Sequence, residues 1–308
     1  MKSLAVVGSS NGDLYIEVGR LPRSGETLEG RSGGNLRPGG KGANQAAAAG
    51  LLGAQTYFCG QVGKDHVAEM LRKNLGERRV NLQHLEEVEG VPSGQAVIFL
   101  LPDGENSIVI IGGANAAWEQ LSESHKEAIS RCDALLLQRE IPDQINLEAA
   151  KVAKSNGKIV VMDCGGRESP IPEELLNNID IISPNATELE NLTGIYSDPE
   201  AAAKKLQSLG VPHIVLKLGE KGAVYIGERT LEQKGFKDPS KEILDTTGAG
   251  DCFTAALVVK LLEEGFTPEG FSSAMEFACA AAFLSITKVG AMESVPSRNQ
   301  VLEFLNNH

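Results

Sequence analysis

Two apolar runs decide the fold: Ala134-Leu135-Leu136-Leu137 and, after a stretch of helical length, Lys158-Ile159-Val160-Val161-Met162. Each run is too short for a typical helix and consists mostly of aliphatic residues, so each predicts a buried β-strand. Comparable runs at residues 4–7, 179–182 and 213–218 also alternate with stretches of helical length. This alternation predicts an α/β fold with a mostly parallel central sheet and helices on both of its faces.

A second strand pattern interrupts this alternation. Residues 13–19 alternate in a strand-like way, and residues 95–101 and 106–111 are predicted to be two strands joined by the turn Pro102-Asp103-Gly104-Glu105. We expect a small inserted β-sheet from about residues 12–35 and 94–111, which would serve as a lid over a site, as a dimer surface, or as both. Because no linker or change of composition divides the chain, residues 1–308 are predicted to form a single domain.

The composition excludes several classes of protein. The chain has 308 residues, of which 42% are hydrophobic and 23% charged, so it is globular rather than disordered. Its 41 acidic and 29 basic residues give a net charge of -12, which argues against nucleic acid or an anionic membrane as the main partner. Five scattered cysteines without a C-x-x-C pair fit a reducing compartment better than disulfides or zinc. No apolar stretch approaches 18 residues, so we expect a soluble, cytoplasmic protein.

The strongest local signal is the segment Asp245-Thr246-Thr247-Gly248-Ala249-Gly250-Asp251, which precedes a helical pattern at residues 252–262. The N–H groups of residues 248–251 would lie at a positive helix end, which suits a phosphate or a developing anion. Asp251 would lie in the first turn. It is either a general base that takes a proton from a hydroxyl or an acidic residue that interacts favourably with the helix dipole. The motif alone leaves both interpretations open.

Two further glycine-rich segments are candidate ligand loops. The first, Gly39-Gly40-Lys41-Gly42-Ala43-Asn44, runs into an Ala-rich stretch and does not have the order of a Walker A loop. Its glycines would let a polar ligand approach the backbone, with hydrogen bonds from Lys41 and Asn44, or they would only form a tight loop before a packed helix. The second, Gly8-Ser9-Ser10-Asn11-Gly12-Asp13, follows the first strand, where open α/β sheets bind ligands. Asn11 and Asp13 can bind hydroxyl groups but are also ordinary turn residues.

The segment Ser183-Pro184-Asn185-Ala186-Thr187-Glu188 is a fourth motif, which has the spacing of a helix capping box. Together, in this order and over about residues 4–306, the four motifs resemble those of the ribokinases among the PfkB-type carbohydrate kinases. The resemblance implies ATP-dependent transfer of the γ-phosphoryl group to the 5-hydroxyl of D-ribose, which gives D-ribose 5-phosphate. A related sugar or nucleoside kinase and a catalytically silent sugar-binding regulator remain alternatives.

The resemblance implies a role for each matching residue. The implied ribose ligands are Asn11, Asp13, Gly40, Lys41, Asn44, Glu140 and Asp251. In this interpretation Asp251 is the base, and the amides of Gly248, Ala249 and Gly250 form an anion hole. The implied nucleotide-binding residues are Asn185, Lys217, Gly219, Gly222, Gly250 and Cys279.

The resemblance also implies two metal cofactors and a partner. Mg²⁺ would bind near Asn185 and Glu188, partly through water. An activating K⁺ would bind at Asp245, Thr247, Ser285, Lys288, Gly290 and Ser294. A homodimer through the lid is expected. The segments at residues 111–115 and 138–143 are similar to those of plant-type ribokinases, so a plastid location remains an alternative if a transit peptide was removed.

Overall fold

The computed structural model describes residues 2–102 and 105–308, which form two β-sheets and their surrounding helices. The strands in these ranges are β1 (Ser3–Val7), β2 (Asn11–Glu17), β3 (Ser32–Gly39), β4 (Gln55–Val62), β5 (Val80–Asn81), β6 (Leu85–Glu87), β7 (Gly94–Leu100), β8 (Asn106–Ile111), β9 (Ala134–Arg139), β10 (Ile159–Gly166), β11 (Ile181–Ser183), β12 (His213–Lys217), β13 (Gly222–Ile226) and β14 (Thr230–Lys234). The α-helices are α1 (Lys41–Leu52), α2 (His66–Glu77), α3 (Glu123–Arg131), α4 (Asp143–Ser155), α5 (Glu173–Leu176), α6 (Ala186–Thr193), α7 (Pro199–Ser208), α8 (Ala249–Glu264), α9 (Pro268–Ser285) and α10 (Arg298–Asn306).

The central sheet is mostly parallel, as the apolar runs predict. Its strand order is β14-β13-β12-β11-β10-β9-β1-β4-β5, and β6 pairs with β4. Every pairing from β12 to β5 is parallel, whereas β13 and β14 continue the sheet as antiparallel strands at one edge. The carboxyl ends of the parallel strands therefore meet at one edge of the sheet, the usual ligand edge of such folds.

Helices cover both faces of the central sheet, and each face has its own apolar core. In β1, Leu4 and Val6 pack into one core while Ala5 and Val7 pack into the other, because successive side chains of a strand point to opposite faces. Helices α1, α2, α8, α9 and α10 contribute to the first core, and α3 to α7 contribute to the second. This arrangement confirms the predicted α/β class with helices on both faces. Within the described ranges, no helix is long and apolar enough to cross a membrane.

The predicted small sheet is also present, with the strand order β3-β2-β7-β8. Its bounds differ from the prediction at two strands. β2 begins and ends two residues earlier than the predicted residues 13–19, and β3 continues past residue 35 to Gly39, where it pairs with Asn11. Both strands therefore reach the carboxyl end of β1 and the start of α1. Of the predicted turn between β7 and β8, Asp103 and Gly104 lie outside the described residues.

Candidate active site

The N-termini of α1 and α8 lie side by side near the carboxyl ends of the parallel strands. Neither helix has a side-chain cap, since their N-cap residues are Gly40 and Gly248. The first amides of a helix have no acceptor within it, and they carry a partial positive charge. At α1 the first three amides donate to Glu140 Oε2 and to Ser9, so the donors open to a ligand are those of α8. Gly40 has φ 87°, and a Cβ there would lie 2.8 Å from the Cα of Ser10, so this close approach to the end of β1 requires glycine.

The amides predicted to form the anion hole lie at the start of α8. One of them is already engaged, because the Ala249 N–H donates to the Thr246 carbonyl at 3.2 Å. Gly248 adopts a left-handed conformation with φ 77°, and Gly250 is exposed in the first turn of the helix. An anion at this position would therefore find its donors chiefly at Gly248 and Gly250.

Asp251 is held between α8 and α1. Its side chain is buried, with the residue 6% exposed, and Oδ2 accepts a hydrogen bond from Asn44 Nδ2 while Oδ1 accepts one from Gln45 Nε2, both at 3.0 Å. Burial raises the pKa of Asp251 above its ordinary value, although the charge of Lys41 opposes the shift. The structure thus brings the predicted base together with the predicted Gly39–Asn44 loop, and it adds Gln45, which the sequence analysis missed.

The residues predicted to bind sugar form a polar cluster around the end of β1. Glu140 Oε2 accepts hydrogen bonds from Ser9 Oγ at 2.6 Å and from the Lys41 N–H at 2.9 Å. Asn11 Oδ1 accepts one from Asn115 Nδ2 at 2.7 Å, a contact that the sequence analysis missed. Burial and then the charge of Glu140 raise the pKa of Asp13 to about 7.

Several buried polar atoms of this cluster have no partner within the described part of the chain. They are Ser10 Oγ, Asp13 Oδ1 and Asn44 Oδ1. Buried polar atoms are nearly always hydrogen-bonded in folded proteins, so a bound water or a ligand is the expected partner of these three atoms. Hydroxyl groups both donate and accept hydrogen bonds, and a polyol therefore matches this set of carboxylate, amide and hydroxyl oxygens.

A buried ionic cluster that the sequence analysis did not predict lies next to the base. Asp163 follows the apolar part of β10, and its Oδ2 accepts hydrogen bonds from Lys217 Nζ at 2.7 Å and from the Thr254 hydroxyl. Burial alone would raise the pKa of Asp163, but the charges of Lys217 and Lys41 more than offset it and lower that pKa. The available signal was an acidic residue directly after the aliphatic part of a mostly buried strand.

A cavity of about 790 Å³ opens beside Asp251 and Asp163. Its walls include all the residues predicted to bind nucleotide, namely Asn185, Lys217, Gly219, Gly222, Gly250 and Cys279. Part of the wall comes from residues 235–243, which no motif in the sequence indicated, and apolar side chains such as Phe236, Ile243 and Phe283 contribute to it. Charged groups and apolar surface in one cavity suit a ligand that has both phosphates and an aromatic base. Burial raises the pKa of the Cys279 thiol to about 12, so this wall residue is uncharged.

Asn185 and Glu188 lie on the same cavity wall at the start of α6. They form the capping box that the sequence spacing predicts: the Asn185 N–H donates to Glu188 Oε2, and the Glu188 N–H donates to Asn185 Oδ1, both at 2.8 Å. Amide and carboxylate oxygens are the hard donors that Mg²⁺ prefers, and an ion that keeps most of its waters needs few of them. These residues therefore fit a magnesium ion bound mainly through water and phosphate.

The residues predicted to bind K⁺ come from three neighbouring segments. Asp245 Oδ1 accepts a hydrogen bond from the Thr247 N–H and Oδ2 one from the Gly290 N–H, both at 2.9 Å. Burial opposes ionisation of Asp245, but these hydrogen bonds prevail and lower its pKa. The Lys288 N–H donates to the Ser285 carbonyl at 3.1 Å, and the buried hydroxyl of Ser294 donates to the Ala291 carbonyl at 3.1 Å. Direct hydrogen bonds thus join Asp245 to Thr247 and Gly290.

Comparison with known proteins identifies relatives over the full length of the chain. The profile described as pfkB family carbohydrate kinase matches residues 1–298. A ribokinase of Arabidopsis thaliana is 44% identical over 312 residues, which cover 98% of this chain and 80% of that protein. A ribokinase of Haemophilus influenzae is 38% identical over 313 residues, 99% of both proteins. The solved structure of Arabidopsis thaliana ribokinase complexed with ribose and ATP has a TM-score of 0.93 at 41% identity and covers 99% of both chains.

Proposed function

Since the chain belongs to the pfkB family of carbohydrate kinases, we propose that it transfers the γ-phosphoryl group of ATP to the 5-hydroxyl of D-ribose. The observation that carries the proposal is the position of Asp251. Its buried carboxylate lies at the N-terminus of α8, on the wall of the nucleotide-sized cavity, and it is held by Asn44 and Gln45 near the start of α1. Asp251 therefore connects the polar cluster, through Asn44, with the cavity and with a helix end suited to phosphate.

In the proposed reaction, Asp251 accepts the proton of the 5-hydroxyl as the oxygen attacks the γ-phosphorus. The bond from that phosphorus to the bridging oxygen of ATP breaks, and ADP leaves. The amides of Gly248 and Gly250, with a smaller share from Ala249, would stabilise the charge on the transferred group. Asn11, Asp13, Gly40, Lys41, Asn44 and Glu140 would orient the sugar, since most of the catalytic effect in phosphoryl transfer comes from positioning and electrostatics.

The nucleotide would lie in the cavity between Asn185, Lys217, Gly219, Gly222, Gly250 and Cys279. Asn185 and Glu188 would hold Mg²⁺, which neutralises phosphate charge when it is bound. Lys217 would keep its charge because it is paired with Asp163, and this cation beside Gly250 favours a phosphate there.

The test is ADP release measured with ribose, fructose, deoxyribose, adenosine, pseudouridine and no acceptor. We expect the highest kcat/KM with ribose. A higher value with another sugar or with a nucleoside would assign the chain to a related kinase. ADP release that no acceptor increases would instead support a silent sugar-binding regulator.

We also propose that K⁺ activates the enzyme at Asp245, Thr247, Ser285, Lys288, Gly290 and Ser294. Support comes from the carboxylate of Asp245, which ties residue 247 to residue 290 beside the start of α8. A bound monovalent cation there would order the backbone that forms the anion hole.

Replacing K⁺ by Na⁺ or tetramethylammonium at constant ionic strength is expected to lower kcat, because the loop before α8 loses its cation. Coupled ADP release measures the effect. Choline replacing Na⁺ in a K⁺-containing assay is the control and should change nothing. Unchanged turnover without K⁺ would reject the site.

We propose that the small sheet β3-β2-β7-β8 closes over the sugar and also forms the interface between two copies of the chain. Its edge strand β8 exposes four consecutive apolar side chains, Ile108, Val109, Ile110 and Ile111, by 47–62%. An exposed apolar edge strand is a liability unless another surface covers it. Closure would exclude water, which competes with the sugar as phosphoryl acceptor.

We expect a dimer at micromolar concentration and a monomer after Ile110→Lys, because a lysine on β8 places a charge in the proposed interface. Light scattering gives the mass of both proteins. Leu302→Lys, at an exposed apolar position on α10, is the control and should stay dimeric. A monomeric unmodified protein would contradict the proposed dimer.

All five cysteines are buried and unpaired, which supports a reducing compartment, either the cytoplasm or a plastid.

A further inference from the structure

We propose that Gln45 and Gln138 form an amide relay that positions Asp251 as the base, an inference that rests on the proposed function. Gln45 Nε2 donates to Asp251 Oδ1 at 3.0 Å, and Gln138 Nε2 donates to Gln45 Oε1 at 2.7 Å. Both glutamines have 0% exposure. The relay therefore runs through the protein interior from β9 to the reacting carboxylate, and neither glutamine belongs to the cavity wall.

The charge of Asp251 determines the direction of the relay. A carboxylate only accepts hydrogen bonds, so Gln45 must turn its NH₂ group toward Asp251 and its oxygen toward Gln138. Gln138 must then supply its own NH₂ group, and its Oε1 is left without a partner within the described residues. That oxygen lies 2.1 Å from the position of a Cβ on Gly8, so the absence of a side chain at Gly8 makes room for it. Reversing either amide would place two donors or two acceptors against each other.

The relay is expected to stabilise and orient the ionised form of Asp251, which is the form that can accept a proton. The hydrogen bond from Gln45 stabilises the carboxylate and fixes its plane, while Asn44 holds the other oxygen. The charged groups that face Asp251 are Lys41, which favours its ionisation, and Asp163 and Asp13, which oppose it. These groups keep their positions when Gln45 loses its amide. Removing that amide should therefore reduce both the fraction of ionised base and the precision of its orientation.

The variant that tests the relay is Gln45→Met, which keeps the length of the side chain and removes its donor. Single-turnover phosphorylation of ribose is followed from about pH 5.5 to about pH 9, where the acid limb of the rate reports ionisation of the base. We expect this limb to move up by about one pH unit and the ribose Kd from calorimetry to change less than about twofold. Gln55→Met, at an exposed glutamine at the start of β4, is the matched control and should leave the limb in place.

The second glutamine is tested through its dependence on the first. Gln138→Met should move the acid limb in the same direction by less, because Gln45 keeps its donor but loses the partner that orients it. In the double variant Gln138→Met should add nothing to the effect of Gln45→Met, since it acts only through that residue. Gln45→Glu, which keeps the side-chain size and replaces the donor with a carboxyl, should shift the limb further and serves if Gln45→Met does not fold.

Two results would overturn the relay. One is a Gln45→Met rate that falls equally at every pH with an unmoved acid limb, which is the behaviour of a purely structural residue. The other is a full additional shift from Gln138→Met in the Gln45→Met background. If the unmodified protein releases no ADP in response to ribose, the proposed function itself fails, and the relay fails with it. An active unmodified protein with an unmoved limb in both Gln45 variants removes the relay alone.

Discussion

Asp251→Asn is expected to lower kcat by at least ~10²-fold while ribose binding remains measurable, which is the lower end of what a general base contributes. Asparagine has nearly the same shape as aspartate and still offers an oxygen to Asn44 or Gln45, so the packing at the start of α8 should survive. It cannot, however, accept the proton of the sugar hydroxyl. The loss should therefore fall on kcat and much less on the ribose Kd.

Coupled ADP release gives kcat, and calorimetry gives the ribose Kd of the same preparation. Asp198→Asn is the matched control, because it removes the same charge at another helix N-terminus, that of α7, and asparagine also caps a helix. This control should keep its full activity. Turnover within a few fold of the unmodified protein in Asp251→Asn would remove Asp251 from the role of base.

The fold could be predicted because its signals are local. Aliphatic runs such as residues 134–137 indicate buried strands within only a few consecutive residues, and the glycines at 248 and 250 mark the start of α8. The position of α1 was less clear, since the helix starts at Lys41, immediately after Gly40 with its positive φ, and the Ala-rich pattern begins only later. The first turn of α1 therefore lies inside the glycine-rich segment, where the sequence predicts a loop.

Residues of the candidate site could be predicted from the sequence only where they belong to a recognisable motif. Asn44 and Asp251 are 207 positions apart, and their contact follows from how α1 packs on α8, which no local pattern encodes. The same holds for Gln45, whose place in an Ala-rich helix gave no sign that its amide reaches a carboxylate. Residues 235–243 contribute to the cavity as an irregular segment, and such segments have no periodicity from which their position can be read.

The pair of Asp163 and Lys217 leads to the second large effect that we expect. Asp163→Asn should lower the free energy of unfolding by about 3–5 kcal/mol, because it leaves the buried ammonium group of Lys217 without the carboxylate to which it is hydrogen-bonded. Asparagine keeps the volume and can still accept from the Gly165 N–H, so the loss reports the charge rather than a cavity. The double variant with Lys217→Met should recover part of the loss, since it removes that unpaired cation.

Urea denaturation measures the difference in free energy of unfolding between Asp163→Asn and the unmodified protein, provided that both unfold with the same m-value. Glu174→Gln is the control. Glu174 pairs with Lys151 at the surface, where both side chains are at least half exposed, so removing its charge should cost less than about 1 kcal/mol. The folded pKa of Asp163 is lowered, so its ionised form contributes stability above its unfolded pKa, and that contribution disappears only as the pH falls through the folded value. The difference between Asp163→Asn and the unmodified protein should therefore persist from about pH 8 to about pH 5. A loss no larger than that of Glu174→Gln would mean that Lys217 does not depend on Asp163 for its charge, and the proposal that this pairing keeps a cation beside the nucleotide phosphates would then fail.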